Sequence, residues 1–256
     1  MLETWRTVYD SIIGTFQVRQ NHSKSTESQE LVRQAILSVN NPQFQMRHGR
    51  VYLWSDQGRP SVLCSIVSSN DREMPQTRRV TFEFHSLSQH VVSAARDGKV
   101  FWRCAEPGLK WIDGIDESLP SNNRTTRLAQ MKSISRRFSA EGPANVFRLM
   151  PTPIYRYPSE TLDVTDGAIF TFSLGTDPCV LLLVEARSNA WHLAFARSNV
   201  RELKIKKGEE LVLMFEDVSL GETPTGPFYL KWTSELRSTN DPGNILFKAS
   251  LPELPD

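Results

Sequence analysis

Apolar and polar positions along this chain alternate mostly with period two, broken by turn residues. The most hydrophobic stretch, residues 166–189 (DGAIFTFSLGTDPCVLLLVEARSN), predicts a strand hairpin. Residues 167–173 alternate around Phe170 and Phe172, which period two places on one face. Residues 174–178 are turn chemistry, because Gly tolerates positive φ, Asp bonds its own backbone and Pro fixes φ. Residues 179–184 are apolar on both faces, as a central strand covered on both sides would be. A buried helix is the competing reading; the short length, Pro178 and the polar exit Glu185-Ala186-Arg187 favour the strand.

Helical spacing predicts three helices. Trp5, Val8, Ile12 and Phe16 recur at three and four, giving a helix over residues 3–18. Residues 21–28 are a polar linker, and Thr26 with Gln29 makes a capping box for a second helix. That helix presents Leu31, Val32, Ala35, Ile36 and Val39 on one face and ends at Asn41-Pro42. After a linker at residues 115–126, Leu128, Met131, Ile134 and Phe138 line a third, with Arg136 and Arg137 opposite. Strands are expected at residues 50–54, 61–67, 79–86 and 99–103, then at 146–150, 191–197, 203–206 and 211–215. Phe228, Leu230 and Trp232 alternate in one more.

Residues 49–63 and 167–181 superpose without a gap at an offset of 118 (167 − 49 = 118). Gly49/Gly167, Ser55/Ser173, Pro60/Pro178, Val62/Val180 and Leu63/Leu181 are identical. The expectation is a β-rich α+β fold of two pseudo-repeated units, each a helix followed by a four-stranded antiparallel meander, packed as one body. Its parts would be an N-terminal helix (1–22), unit 1 (23–115), unit 2 (124–218) and a C-terminal strand and tail (219–256).

Composition adds limits. The chain has 256 residues, 39% hydrophobic and 23% charged, with a formal charge of +1, so no overall field attracts nucleic acid or an anionic membrane. Cys64, Cys104 and Cys179 are an odd, well-separated set, as expected of buried reduced thiols. No secretory leader pattern and no apolar membrane-length window occur, which predicts a soluble, cytoplasmic protein.

Chemistry is thinly signalled. Thr81, Glu83 and His85 line one face of a strand, opposite Phe82 and Phe84. A carboxylate beside an imidazole suits acid/base catalysis, making Glu83 and His85 the candidate catalytic pair. Tyr155, Arg156 and Tyr157, aromatic and basic, are the candidate binding residues. No third ligand has metal-site spacing, no cofactor is expected, and the nucleophile-elbow and phosphate-loop motifs are absent. Arg136, Arg137, Arg201, Lys204, Lys206 and Lys207 form the only basic set, without the aromatic platform of single-strand binders.

The blocks GRVYLWSDQGRP (49–60), EFHSLS (83–88), PGLKW (107–111), RLAQM (127–131), YRY (155–157) and the stretch through Arg187 resemble, in order, those of an uncharacterised bacterial protein family of unknown function. The resemblance covers residues 50 to 200 and implies a bacterial cell; it brings no activity with it. Three functions follow as expectations: a non-enzymatic binding or scaffolding protein for a small molecule or protein, a small hydrolase or isomerase using Glu83 and His85, and, least favoured, a nucleic-acid binder.

Overall fold

In the computed structural model, residues 2–21, 28–41, 46–70, 74, 76–112, 118–159, 163–218 and 225–248 are described. Among the described residues strand predominates and two helices are present. It runs α1 (Leu2–Gly14), β1 (Phe16–Asn21), β2 (Ser28–Glu30), β3 (Val32–Asn41), β4 (Met46–Asp56), β5 (Arg59–Asn70), β6 (Thr77–Ser86), β7 (Val91–Arg96), β8 (Lys99–Cys104) and β9 (Lys110–Ile112). Then come α2 (Arg124–Ser135), β10 (Phe138–Glu141), β11 (Val146–Leu149), β12 (Tyr155–Ser159), β13 (Val164–Leu174), β14 (Asp177–Arg187), β15 (Ala190–Arg197), β16 (Leu203–Lys207), β17 (Glu210–Phe215), β18 (Phe228–Ser238) and β19 (Ile245–Lys248). Two compact units result. Unit 1 is Met1–Trp54, Ser61–Pro107 and Ser219–Asp256; unit 2 is Ser55–Pro60 and Gly108–Val218.

Unit 1 holds two sheets, ordered β2-β1-β7-β8 and β19-β18-β6-β5-β4-β3. Phe16, Phe101 and Trp102 from the first meet Phe82 and Phe84 from the second in one core. The Phe16 ring lies 5.2 Å from Phe82 and 5.3 Å from Phe84 and Phe101, and Trp102 stacks on Phe84 at 5.4 Å. Offset and edge-on ring pairs of this kind add to the burial of aromatic area. Helix α1 closes the same core with Trp5, Tyr9, Ile12 and Ile13.

Unit 2 is one antiparallel sheet, β17-β16-β10-β11-β13-β14-β15-β9, with β12 on the same edge of β13 as β11. Its edge strands come together: Lys110 Nζ on β9 donates to the Met214 carbonyl on β17 (3.4 Å) and lies 4.6 Å from the Phe215 ring. The sheet is thus nearly a barrel. Phe170, Phe172, Val180, Leu182, Val184, Phe195 and Ile205 fill it, and α2 packs Met131 and Ile134 against them. Asn123 caps α2, its side chain accepting from the Thr125 and Thr126 amides.

The expected α+β plan of two pseudo-repeated helix-plus-meander units is overturned by these three antiparallel sheets and two helices. The second predicted helix is strand β3, and its capping box at Thr26 lies outside the described residues. Val32, Ile36 and Val39 are β-branched and favour extended backbone over helix. β3 is an edge strand whose Val32 is 72% exposed, so its apolar spacing does not mark a buried stripe.

Helix α1 stops at Gly14 rather than reaching residue 18. The Thr15 amide and hydroxyl both donate to the Ile12 carbonyl (3.1 and 2.7 Å), which closes the last turn. Phe16 and Val18 then alternate inward along β1. Phe138 likewise lies past the end of α2, in β10.

The meanders fail at their fourth strand. β4-β5-β6 and β13-β14-β15 run as consecutive neighbours, but β8 pairs with β7 in the other sheet and β16 pairs with β10 and β17. The likeness at offset 118 amounts to two hairpins with turns at Gln57-Gly58 and Gly175-Thr176. Gln57 and Gly58 have φ of 46° and 86°, the primed-turn signs that match strand twist.

All three cysteines are buried and none forms a disulfide. Among the described residues no helix is long and apolar enough to cross a membrane.

Two substitutions test the exposed edge of β3 against the aromatic core of β6. Val32→Ala is expected to change unfolding free energy by less than about 0.5 kcal/mol, since it is a surface change. Phe84→Ala, in the aromatic core, should cost about 3–5 kcal/mol. Urea unfolding measures both, and a loss above about 1 kcal/mol for Val32→Ala would contradict its edge-strand position.

Candidate functional site

The registers of unit 2 place four residues in one transverse row on the sheet's outer face: Tyr157 on β12, Gly167 on β13, Glu185 on β14 and His192 on β15. Directly paired residues point to the same side, so what occupies Gly167 decides whether Tyr157 reaches Glu185. A Cβ at Gly167 would lie 2.5 Å from the Tyr157 ring. With hydrogen there, the ring lies across β13 and its hydroxyl donates to Glu185 Oε1 at 2.5 Å.

Glu185 is 0% exposed at its side chain. An isolated carboxylate there would be prohibitively desolvated, so it needs charged partners. Arg59, 6% exposed, donates from Nε to Oε1 (3.1 Å), and Arg187, two residues along the same strand face, donates from Nη2 to Oε2. Arg187 also stacks over the Trp111 ring at 4.4 Å, a cation–π contact from β9.

The hairpin tip carrying Arg59 is held by backbone as well as charge. Tyr155 donates its hydroxyl to the Gly58 carbonyl (2.9 Å), and a Cβ at Gly58 would meet the Pro158 carbonyl oxygen at 2.7 Å. Only glycine fits that approach and its positive φ without strain.

Burial pushes the Tyr157 hydroxyl well above its ordinary value, and it therefore stays protonated and donating. Burial lowers Arg187 to about 10, with the neighbouring Arg59 charge acting the same way. His192 is held below its ordinary value by burial and then by Arg187.

A second buried carboxylate, Asp166, faces the other way. Arg127 Nε donates to it at 3.0 Å, and Arg156 grips both oxygens at 2.9 and 2.6 Å. Arg127 also donates to the Ser121 and Asn122 carbonyls and Arg156 to that of Arg124, tying the start of α2 to the sheet.

The Tyr155-Arg156-Tyr157 triplet is thereby divided by strand alternation. Tyr155 and Tyr157 stack on the outer face (5.4 Å, 18° between planes), while Arg156 belongs to the Asp166 network on the other. Glu83 and His85 do share a face of β6, between β5 and β18. His85 is 1% exposed with its ring 5.0 Å from Phe228. Phe82 and Phe84 occupy the opposite face, in the core.

Sequence reasoning missed Arg59, Trp111, Glu185 and Arg187. A signal was present: Glu185 continues the in/out phase of a strand already read as covered on both faces, so its carboxylate had to be buried and paired. Among the described residues no group of three or more His, Cys, Asp and Glu is placed to hold a metal. Comparisons with family models, curated proteins and solved structures return no match.

Two outcomes follow. Glu185→Gln removes the buried carboxylate that Arg59 and Arg187 share and should cost about 3–5 kcal/mol in urea unfolding; a loss below about 1 kcal/mol would show the carboxylate is dispensable.

The second concerns alkaline pH. The hydroxyls of Tyr9, Tyr52 and Tyr157 are all raised, mainly by burial. The unfolded chain releases these protons near pH 10 and the folded chain holds them, so the stability they confer is complete below about pH 10 and falls as pH rises beyond it. Absorbance titration at 295 nm should show fewer tyrosinates at pH 10.5 in native than in urea-unfolded protein, and equal ionisation would refute it.

Proposed function

We propose that this is a non-enzymatic binding or scaffolding protein, which holds a small molecule or protein partner on a braced β-framework without transforming it. The observation that carries this reading is the burial of His85. A general base must come within hydrogen-bond reach of the proton it takes. His85 is 1% exposed, packed on Phe228 and centred in a six-stranded sheet. The other carboxylate–cation sets serve structure: Glu185 and Asp166 each accept from two guanidinium groups.

The hydrolase or isomerase reading through Glu83 and His85 loses its main support in the same burial. The nucleic-acid reading is weakened at the lysines, since Lys204 pairs with Glu202 at 3.1 Å and Lys206 with Glu141 at 2.7 Å.

The reading is tested by screening a metabolite library for compounds that raise the unfolding temperature, then recovering each from the protein for mass spectrometry. At least one stabilising compound recovered unchanged is expected. A compound converted by the wild type and left intact by His85→Asn would overturn the proposal in favour of catalysis.

A further inference from the structure

Resting on that binding reading, we propose that Arg187 and Trp111, with Arg59 beneath them, form a site for an oxyanion, the carboxylate or phosphate group of a ligand. Three N–H donors in this one cluster are buried with no acceptor: Arg59 Nη2, Arg187 Nε and Trp111 Nε1. Each buried donor left unpaired costs about 1–3 kcal/mol, so three together mark a place where an acceptor belongs.

The geometry selects the kind of acceptor. Arg187 lies over the Trp111 ring at 4.4 Å, which occupies the guanidinium face and leaves its in-plane edges for hydrogen bonds. Its Nη2 is spent on Glu185; its Nε is unspent. Arg59 likewise gives Nε to Glu185 and keeps Nη2. Every unspent group is a donor, and a deprotonated oxyanion is an acceptor-only partner that forms charge-assisted bonds with guanidinium.

Net charge adds nothing to this, since the two guanidiniums are balanced by the Glu185 and Asp56 carboxylates, and the unspent donors alone select the acceptor. Glu185 is shared by two guanidiniums, and the Asp56 carboxylate acts on Arg59, the deeper of them. Arg187, 13% exposed at its side chain, and half-buried Trp111 are the most exposed residues of the cluster, beside exposed His192, while their donor atoms lie buried beneath that surface.

The full chain, labelled with nitrogen-15, is titrated separately with sodium phosphate and sodium acetate at constant ionic strength held by sodium chloride. One indole N–H resonance, assigned by its absence in Trp111→Phe, should shift saturably with at least one of the two anions. Trp111→Phe keeps a stacking ring and loses one unpaired donor, so its unfolding midpoint should not fall. Its affinity, read from the arginine Nε resonances, should fall about tenfold or more.

Saturation by phosphate alone assigns a phosphate site, and by acetate alone a carboxylate site; either supports the proposal. No shift, a shift that never saturates, or affinity undiminished in Trp111→Phe overturns it and leaves the donors to water. A failed anion titration alongside a ligand recovered unchanged removes this site and leaves the binding function standing. His85-dependent turnover alongside an intact anion response does the reverse.

Discussion

One buried carboxylate holds the outer face of unit 2 together. Glu185 sits mid-sheet at a depth where its charge is tolerable only because two guanidiniums and a phenol reach it, and each arrives from a different part of the chain. Arg59 comes from a hairpin tip more than a hundred residues earlier, Tyr157 from the short strand β12, and Arg187 from β14 itself. The ion pairs give little net stabilisation over a well-packed apolar equivalent, since desolvation offsets most of the attraction. What they provide is placement, because each segment is fixed where its side chain reaches Glu185.

Glycine is the enabling residue twice in this cluster. Gly167 lets an aromatic ring lie flat over a strand, and Gly58 lets a turn approach the Pro158 carbonyl. The identity of Gly49 and Gly167 at offset 118 suggested a repeated unit, but each glycine answers its own packing. A Cβ at Gly49 would strike Val39, Val67 and the Ile66 carbonyl, at 2.6 to 2.7 Å.

Much of the strand content was legible locally. The hairpin of β13 and β14 follows from alternation, Gly175 and Pro178, and the central strands of both units follow in the same way. Two things were not legible. β3 carries helical spacing on an edge strand that is exposed at Val32 and buried only toward Val39, so burial enforces period two over just part of its length. The pairing of β1 with β7 and of β10 with β16 joins segments about 70 residues apart, and such registers leave no trace in a local window. The candidate residues divide on the same principle. Alternation placed Glu83 with His85 in the sequence, whereas Tyr155, Arg156 and Tyr157, expected there as one binding set, are divided by the strand, and depth, which decides what those groups can do, depends on the distant strands that cover them.

The six-stranded sheet of unit 1 has a consequence for how the chain is made. β6 ends at Ser86, yet the neighbour on its far side, β18, begins at Phe228. During vectorial synthesis 142 residues (228 − 86 = 142) must be added before that edge is paired. At ribosomal rates this is on the order of ten seconds with an unpaired strand edge beside the aromatic core. Open edges of this kind template pairing with other chains. Until β18 is made, the β6 edge is the place where the growing chain is open to such pairing.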